Sequence, residues 1–109
     1  MKQIKAFIHP HRINAVTDAL RNCGICDFDT GIGCLHFTAS TVQRLYSSAD
    51  PSQQRYSLDL GEPVVAETKL ELMCEDAVAD QIAALIADAG KPSAGWVFVT
   101  DIYSAIRIA

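Results

Sequence analysis

The sequence predicts an α+β fold: two similar βαβ halves sharing one antiparallel sheet, with both helices on the same face. Three observations carry this reading. Two amphipathic segments each run into a glycine, Gly24 and Gly90. Each is bracketed by short apolar or alternating segments of strand length. A polar stretch, residues 38–61, divides the chain into two halves of the same order.

Taken in order, IKAFI reads as a first strand that stops at Pro10. HRINAVTDALRNCG then places Ile13, Val16, Leu20 and Cys23 at helical spacing, with Gly24 in the position that closes a helix. ICDFDTGIGCLHF alternates, which puts Cys26, Phe28, Thr30, Ile32 and Cys34 on one face of a second strand half covered by helices. VVAETKLELMCE is a third strand with Leu70, Leu72 and Cys74 on one face. DAVADQIAALIADAG repeats the helical pattern at Val78, Ile82, Leu85 and Ala89, closed by Gly90. GWVFVTD is a fourth strand, and SAIRIA is compatible with a short last one. The order is the ferredoxin-like βαββαβ arrangement, with helices on one face and a long loop between strands two and three. WVFV is apolar on both its faces, so the uncovered side of the sheet calls for burial, which a homo-oligomer supplies.

The connection TASTVQRLYSSADPSQQRYSLDLG is far longer than a hairpin needs. STVQRLY is compatible with a helical turn or two, whereas SSADPSQQ is not, and the whole segment reads as a partner-binding loop. The 109 residues form one domain, 1–109, with 38–61 as an insertion. Half the residues are hydrophobic and a fifth charged, a balance that folds. A net charge of −4 with scattered basic residues argues against nucleic acid as a partner. The opening MKQIKAFIHPHRI has too short an apolar run for a signal peptide, and no segment approaches a membrane span. The expectation is a cytoplasmic protein in which Cys23, Cys26, Cys34 and Cys74 are thiols.

A ferredoxin-like unit with so long a loop resembles the PII signalling family. GKPSAGWVFVTDIYSAIRIA resembles that family's glycine-rich B-loop, apolar strand and Ala-Ile-Arg-Ile ending, and the start matches in register through Pro10, Ala19-Leu20 and Gly24. The resemblance implies a homotrimer that binds ATP or ADP in clefts between subunits and docks on a target protein, such as a membrane transporter, through its long T-loop. Carried over by position, Gly90, Lys91 and Gly95 match the B-loop and Arg107 the first arginine of the ending. Several positions depart from the pattern. Trp96 stands where a basic residue follows the second B-loop glycine, Ala109 where a second arginine falls, and Glu67 where a lysine precedes the third strand. Asp29 occupies the place of an adenine-contacting threonine, and the family's T-loop entry is missing unless GIGCL is a distant echo of it. With fewer charges to neutralise phosphate, the expected ligand is ADP or AMP rather than ATP, with room for a second small anion. The expected site is therefore Asp29, Gly90, Lys91, Gly95, Trp96 and Arg107, in a divergent branch of the family. Tyr46 and Tyr56 are modification candidates by location alone.

Two other readings fit the residues. His9, His11, Cys34 and His36 gather at the loop end in the predicted topology and suggest a metal- or redox-responsive trimer, similar in fold to the copper-tolerance proteins. Cys23 and Cys26 would lie at the other end near Cys74, because a helix from residue 11 to 23 spans roughly 18 Å. One Cys-x-x-Cys does not make a structural zinc site, and buried thiols are the plainer reading. A ligand-independent interaction module is the third possibility. No serine or cysteine has an adjacent base, so no enzyme is expected and no cofactor is required.

Overall fold

The computed structural model describes residues 1–27, 29–45 and 54–109. Strand β1 (Lys2–Ile8) leads through a 3₁₀ turn, Pro10–Arg12, into helix α1 (Ile13–Asn22). Strands β2 (Cys34–Leu45), β3 (Gln54–Ser57) and β4 (Glu62–Cys74) follow, then helix α2 (Asp76–Gly90) and strand β5 (Trp96–Asp101). The sheet runs β2-β4-β1-β5 with every pairing antiparallel, and β3 pairs with the start of β4. Val64 and Val65 pair with both β2 and β3, so β3 lies on the opposite side of β4 from β2. This is the ferredoxin-like βαββαβ order that the sequence predicts.

Period-two burial explains the layering. Ile4, Ala6 and Ile8 of β1 and Leu70, Leu72 and Cys74 of β4 point to one face, where they meet Val16 and Leu20 of α1 and Ala79, Ile82 and Ile86 of α2. Val78, Leu85 and Ala89, expected at the centre of the α2 stripe, flank it as half-buried residues, while Ala79 and Ile86 are buried more deeply. On β5 the two faces differ. Val97 packs on the core, whereas Trp96 and Phe98 stay exposed on the uncovered side of the sheet.

The second strand is the largest departure from the sequence reading. Residues 25–27 and 29–33 form no strand, and β2 begins only at Cys34. The Asp27 carboxylate accepts hydrogen bonds from the Asp29 and Thr30 amides (3.0 and 3.3 Å), while the Asp27 backbone bonds to Gly31 and Ile32. Gly31 and Gly33 take φ values of 75° and 85°. Asp and Gly at these positions are turn chemistry, and they override the alternation that suggested a strand. Phe28 lies outside the described residues.

The missing length reappears further on. Thr38–Leu45, read as the start of the connection, continues β2 and pairs with β4 from Glu71 to Val64. The helical turn expected in STVQRLY is therefore strand through Leu45, with Thr41 and Val42 suited to it. A bulge between Leu35 and Thr38, where His36 has φ 52°, re-aims the strand. Tyr46 and most of SSADPSQQ fall outside the described residues, and Tyr56 is an exposed residue of β3. SAIRIA forms no strand; Ile106 and Ile108 are exposed.

The four cysteines are not all thiols. The loop folds Cys26 back over the start of β2, where it forms a disulfide with Cys34 at a Cα separation of 4.9 Å. Cys23 and Cys74 are free. Burial, reinforced by Asp76 and Glu75, pushes the Cys74 thiol above its ordinary pKa, so it stays protonated at neutral pH.

Candidate functional site

The predicted B-loop is the short turn between α2 and β5. The helix does not end on a left-handed glycine as its sequence suggests. Gly90 is its last helical residue, Lys91 is extended with φ −63° and ψ 152°, and Pro92 has no N–H to continue the ladder. Gly95 is required at the far end of the turn, because a Cβ there would lie 2.4 Å from the Phe7 carbonyl oxygen. That close approach seats Trp96 opposite Phe7 in the β1–β5 register.

Around this turn lies a cavity of about 250 Å³, bounded by Phe7, His9, Ile86, Gly90, Ser93, Gly95 and Trp96. The Lys91 ammonium stands outside the cavity wall and, among the described residues, makes an exposed 3.7 Å contact with Asp88. Trp96 stacks on Phe98 with centroids 5.9 Å apart and planes 13° from parallel, and Phe98 meets Phe7 edge-on. The opposite rim is built by the 3₁₀ turn. The His9 Nδ1 accepts the His11 amide at 3.1 Å, which makes the Nε2–H form the neutral tautomer of His9. Arg12 donates from Nη2 to the Ala89 carbonyl at 2.8 Å and ties that turn to the end of α2. Its buried Nε has no partner among the described residues.

Phe7 and Trp96 also line a second cavity of about 300 Å³ on the open side of the sheet, with Val42, Arg44, Glu67 and Phe98. Glu67 is only 7% exposed, and its Oε1 accepts from Arg44 Nε at 3.0 Å. The sequence reading noted Glu67 but not its partner. Arg44 lies 23 positions away on β2, and only the β2–β4 register shows that the two meet.

Asp29 and Arg107 are elsewhere. Asp29 lines a cavity with Arg21, Gly24 and Cys26 in the α1–β2 loop, and Arg107 lines another with Met1, Thr30, His36 and Met73. Both belong to the end of the sheet where Lys2 and Cys34 pair with Cys74. Phe7 lies five residue steps along β1 from Lys2 at that end, about 17 Å at the rise of a strand. One protomer thus brings Gly90, Gly95 and Trp96 together, and holds Asp29 and Arg107 at its opposite end.

The four-residue metal cluster does not assemble. His9 and His11 touch at the turn end, with ring centroids 4.9 Å apart, while Cys34 and His36 lie at the Cys74 end and Cys34 is spent in the disulfide. The topology reading placed Cys34 wrongly because it began the second strand too early. Among the described residues no group of three or more His, Cys, Asp or Glu is placed to hold a metal ion. No helix among them is long and apolar enough to cross a membrane.

The architecture and its turn cavity define a class of small ferredoxin-like domains with a ligand-sized cavity at the helix-to-strand turn and a strand-built arm beside it. Residues 1–109 match the family model for nitrogen regulatory protein P-II, and the chain belongs to that family. Members are non-enzymatic signal-transduction regulators, and membership implies a trimer responsive to adenine nucleotides. A comparison with curated proteins finds no match.

Proposed function

We propose that the chain acts as a cytoplasmic homotrimeric regulator that senses ADP or AMP in preference to ATP, in a cleft between subunits. The single observation that carries this reading is the division of the site. Gly90, Gly95 and Trp96 lie at one end of a protomer and Asp29 and Arg107 at the other, which supports a cleft shared with a neighbouring copy. The glycine turn lets backbone N–H groups approach a phosphate, Lys91 and the neighbour's copy of Arg107 supply charge, and Trp96 offers a ring face.

The preference for the less charged nucleotides follows from electrostatics. Trp96 brings one N–H and no charge where a cation would serve a phosphate, and the buried Glu67 stands beside it, already paired with Arg44. A chain that has given up these charges belongs to a divergent branch of its family. Space beside the nucleotide accommodates a second small anion. The described parts of 38–61 form a β-built arm around β4, and Arg44 links the arm's base to the second cavity. Ligand occupancy then shifts the arm between conformations that bind or release a target protein, such as a transporter.

Calorimetric titration of the trimer with ATP, ADP and AMP tests this reading. ADP or AMP binds more tightly than ATP, and Arg107→Ala weakens both by about tenfold, the scale of one charge-assisted contact. No heat with any of the three, on a protein that sediments as a trimer, removes the nucleotide from the proposal.

A further inference from the structure

We propose that Cys26 and Cys34 form a reversible redox site, a clasp that dithiols open and that sets the order of the α1–β2 loop. The disulfide closes a loop eight residues in sequence separation, whose other closures are hydrogen bonds centred on Asp27. Asp27, Asp29 and Thr30 are exposed, so little packing stands behind those bonds. Loop order in such a segment depends on its covalent closure.

The two sulfurs are not equivalent. Both are buried in the core, but Cys26 lines an open cavity of about 570 Å³ between Arg21, Gly24, Asp29 and Ile32, whereas Cys34 pairs with Cys74 in the sheet and borders no such opening among the described residues. Attack therefore falls on Cys26. A thiolate of a dithiol reductant bonds to Cys26 Sγ, the S–S bond breaks, and its electron pair leaves on Cys34 Sγ, which takes up a proton. The reductant's second thiol then attacks its own sulfur in the mixed disulfide. Cys26 departs as a thiolate and is protonated, and the reductant leaves as a cyclic disulfide. Two electrons have passed to the protein, and an oxidised dithiol reverses the sequence. Cys74, kept protonated by burial, is a poor competing nucleophile. In a reducing compartment, a disulfide of this kind is characteristically transient and redox-sensing.

The test is hydrogen exchange on the full chain, before and after dithiothreitol, with alkylation under denaturing conditions to count free thiols. Before reduction, Cys23 and Cys74 alkylate; afterwards all four cysteines do. Amide exchange over residues 27–33 accelerates about tenfold or more on reduction, while β1 and β4 keep their protection. The double variant Cys26→Ser/Cys34→Ser exchanges like the reduced protein under both conditions, and Cys74→Ser keeps the full response. Reduction itself needs no substitution, so the comparison survives a double variant that fails to fold. Alkylation of Cys26 and Cys34 in the oxidised sample, an unchanged loop, or equal acceleration across β1 and β4 overturns the proposal. No nucleotide enters the measurement, so failure of the ligand reading leaves this result interpretable.

Discussion

The two helix-to-strand connections obey the same rule and end as different objects. Each carries the chain from a helix to a strand, and each closes on a glycine that faces a backbone carbonyl. A Cβ on Gly33 would lie 1.8 Å from the Ile25 oxygen, and one on Gly95 would lie 2.4 Å from the Phe7 oxygen. The first connection bonds to itself, through Asp27 and the Cys26–Cys34 disulfide. The second leans on β1 and leaves a cavity between helix end, turn and indole. Both connections border a cavity, about 570 Å³ at the first and about 250 Å³ at the second, so the contrast lies in what fixes each turn: its own bonds in one case, the neighbouring strand in the other.

Substituting the two closing glycines breaks the comparison at its strongest point. Gly33→Ala combines a left-handed φ of 85° with a Cβ inside the Ile25 carbonyl, and neither is relieved by moving a flexible side chain. The expected loss is about 3 kcal/mol or more in urea unfolding. Gly95→Ala carries no φ penalty, only the 2.4 Å clash, which a local parting of β5 from β1 can relieve. About 2 kcal/mol is expected, with faster amide exchange confined to β5 and its partner residues in β1. Equal losses, with exchange faster everywhere in both variants, would show that the two connections are equally rigid.

The same contrast explains what was legible in the sequence. Helices α1 and α2, the core face of β1 and β4, and the strand at Trp96 follow from periodicity, because burial on one face imposes it. The start of β2 was not legible that way. Asp27, Gly31 and Gly33 happen to fall in a stretch that alternates apolar and polar residues, and local hydrogen bonding outweighs the pattern. Taking turn chemistry before alternation would have moved the strand to Cys34. The Cys26–Cys34 bond depends on the loop that folds Cys26 back over the start of β2, and the Arg44–Glu67 pair on the β2–β4 register, which no local window contains. Of the candidate site, the turn glycines and Trp96 were readable as a unit. That Asp29 and Arg107 lie at the other end of the protomer became visible only in the assembled sheet.

A finer version of the comparison uses the glycines at the helix ends, both of which have open space around an added Cβ. Only backbone conformation then distinguishes them. Gly24 has φ 76° after α1, whereas Gly90 is the last residue of α2 itself. Gly24→Ala is expected to cost about 1 kcal/mol, and Gly90→Ala to gain up to about 1 kcal/mol by restricting the unfolded chain. Thermal melts of the two variants should therefore move in opposite directions. A loss at Gly90 would show that its place on the cavity rim constrains it beyond helix geometry.

The smallest effect is a pH dependence confined to the first connection. The Asp27 carboxyl sits below its ordinary pKa of 3.8, chiefly through its hydrogen bond with the Thr30 side chain and then through the Asp29 and Thr30 amides. A depressed folded value means that the unfolded chain binds its proton first as pH falls. The contribution of Asp27 to loop order is therefore complete above the ordinary carboxylate range and is lost as pH drops through the folded value. Amide exchange at Asp29 and Thr30, corrected for intrinsic rates, should lose protection across that window while the turn at Gly90–Gly95 stays level. Asp27→Asn keeps an oxygen to accept the same amides but has no proton to gain, so its protection should be flat with pH. A persistent slope in that variant would leave the loop's order with the disulfide rather than with the Asp27 hydrogen bonds.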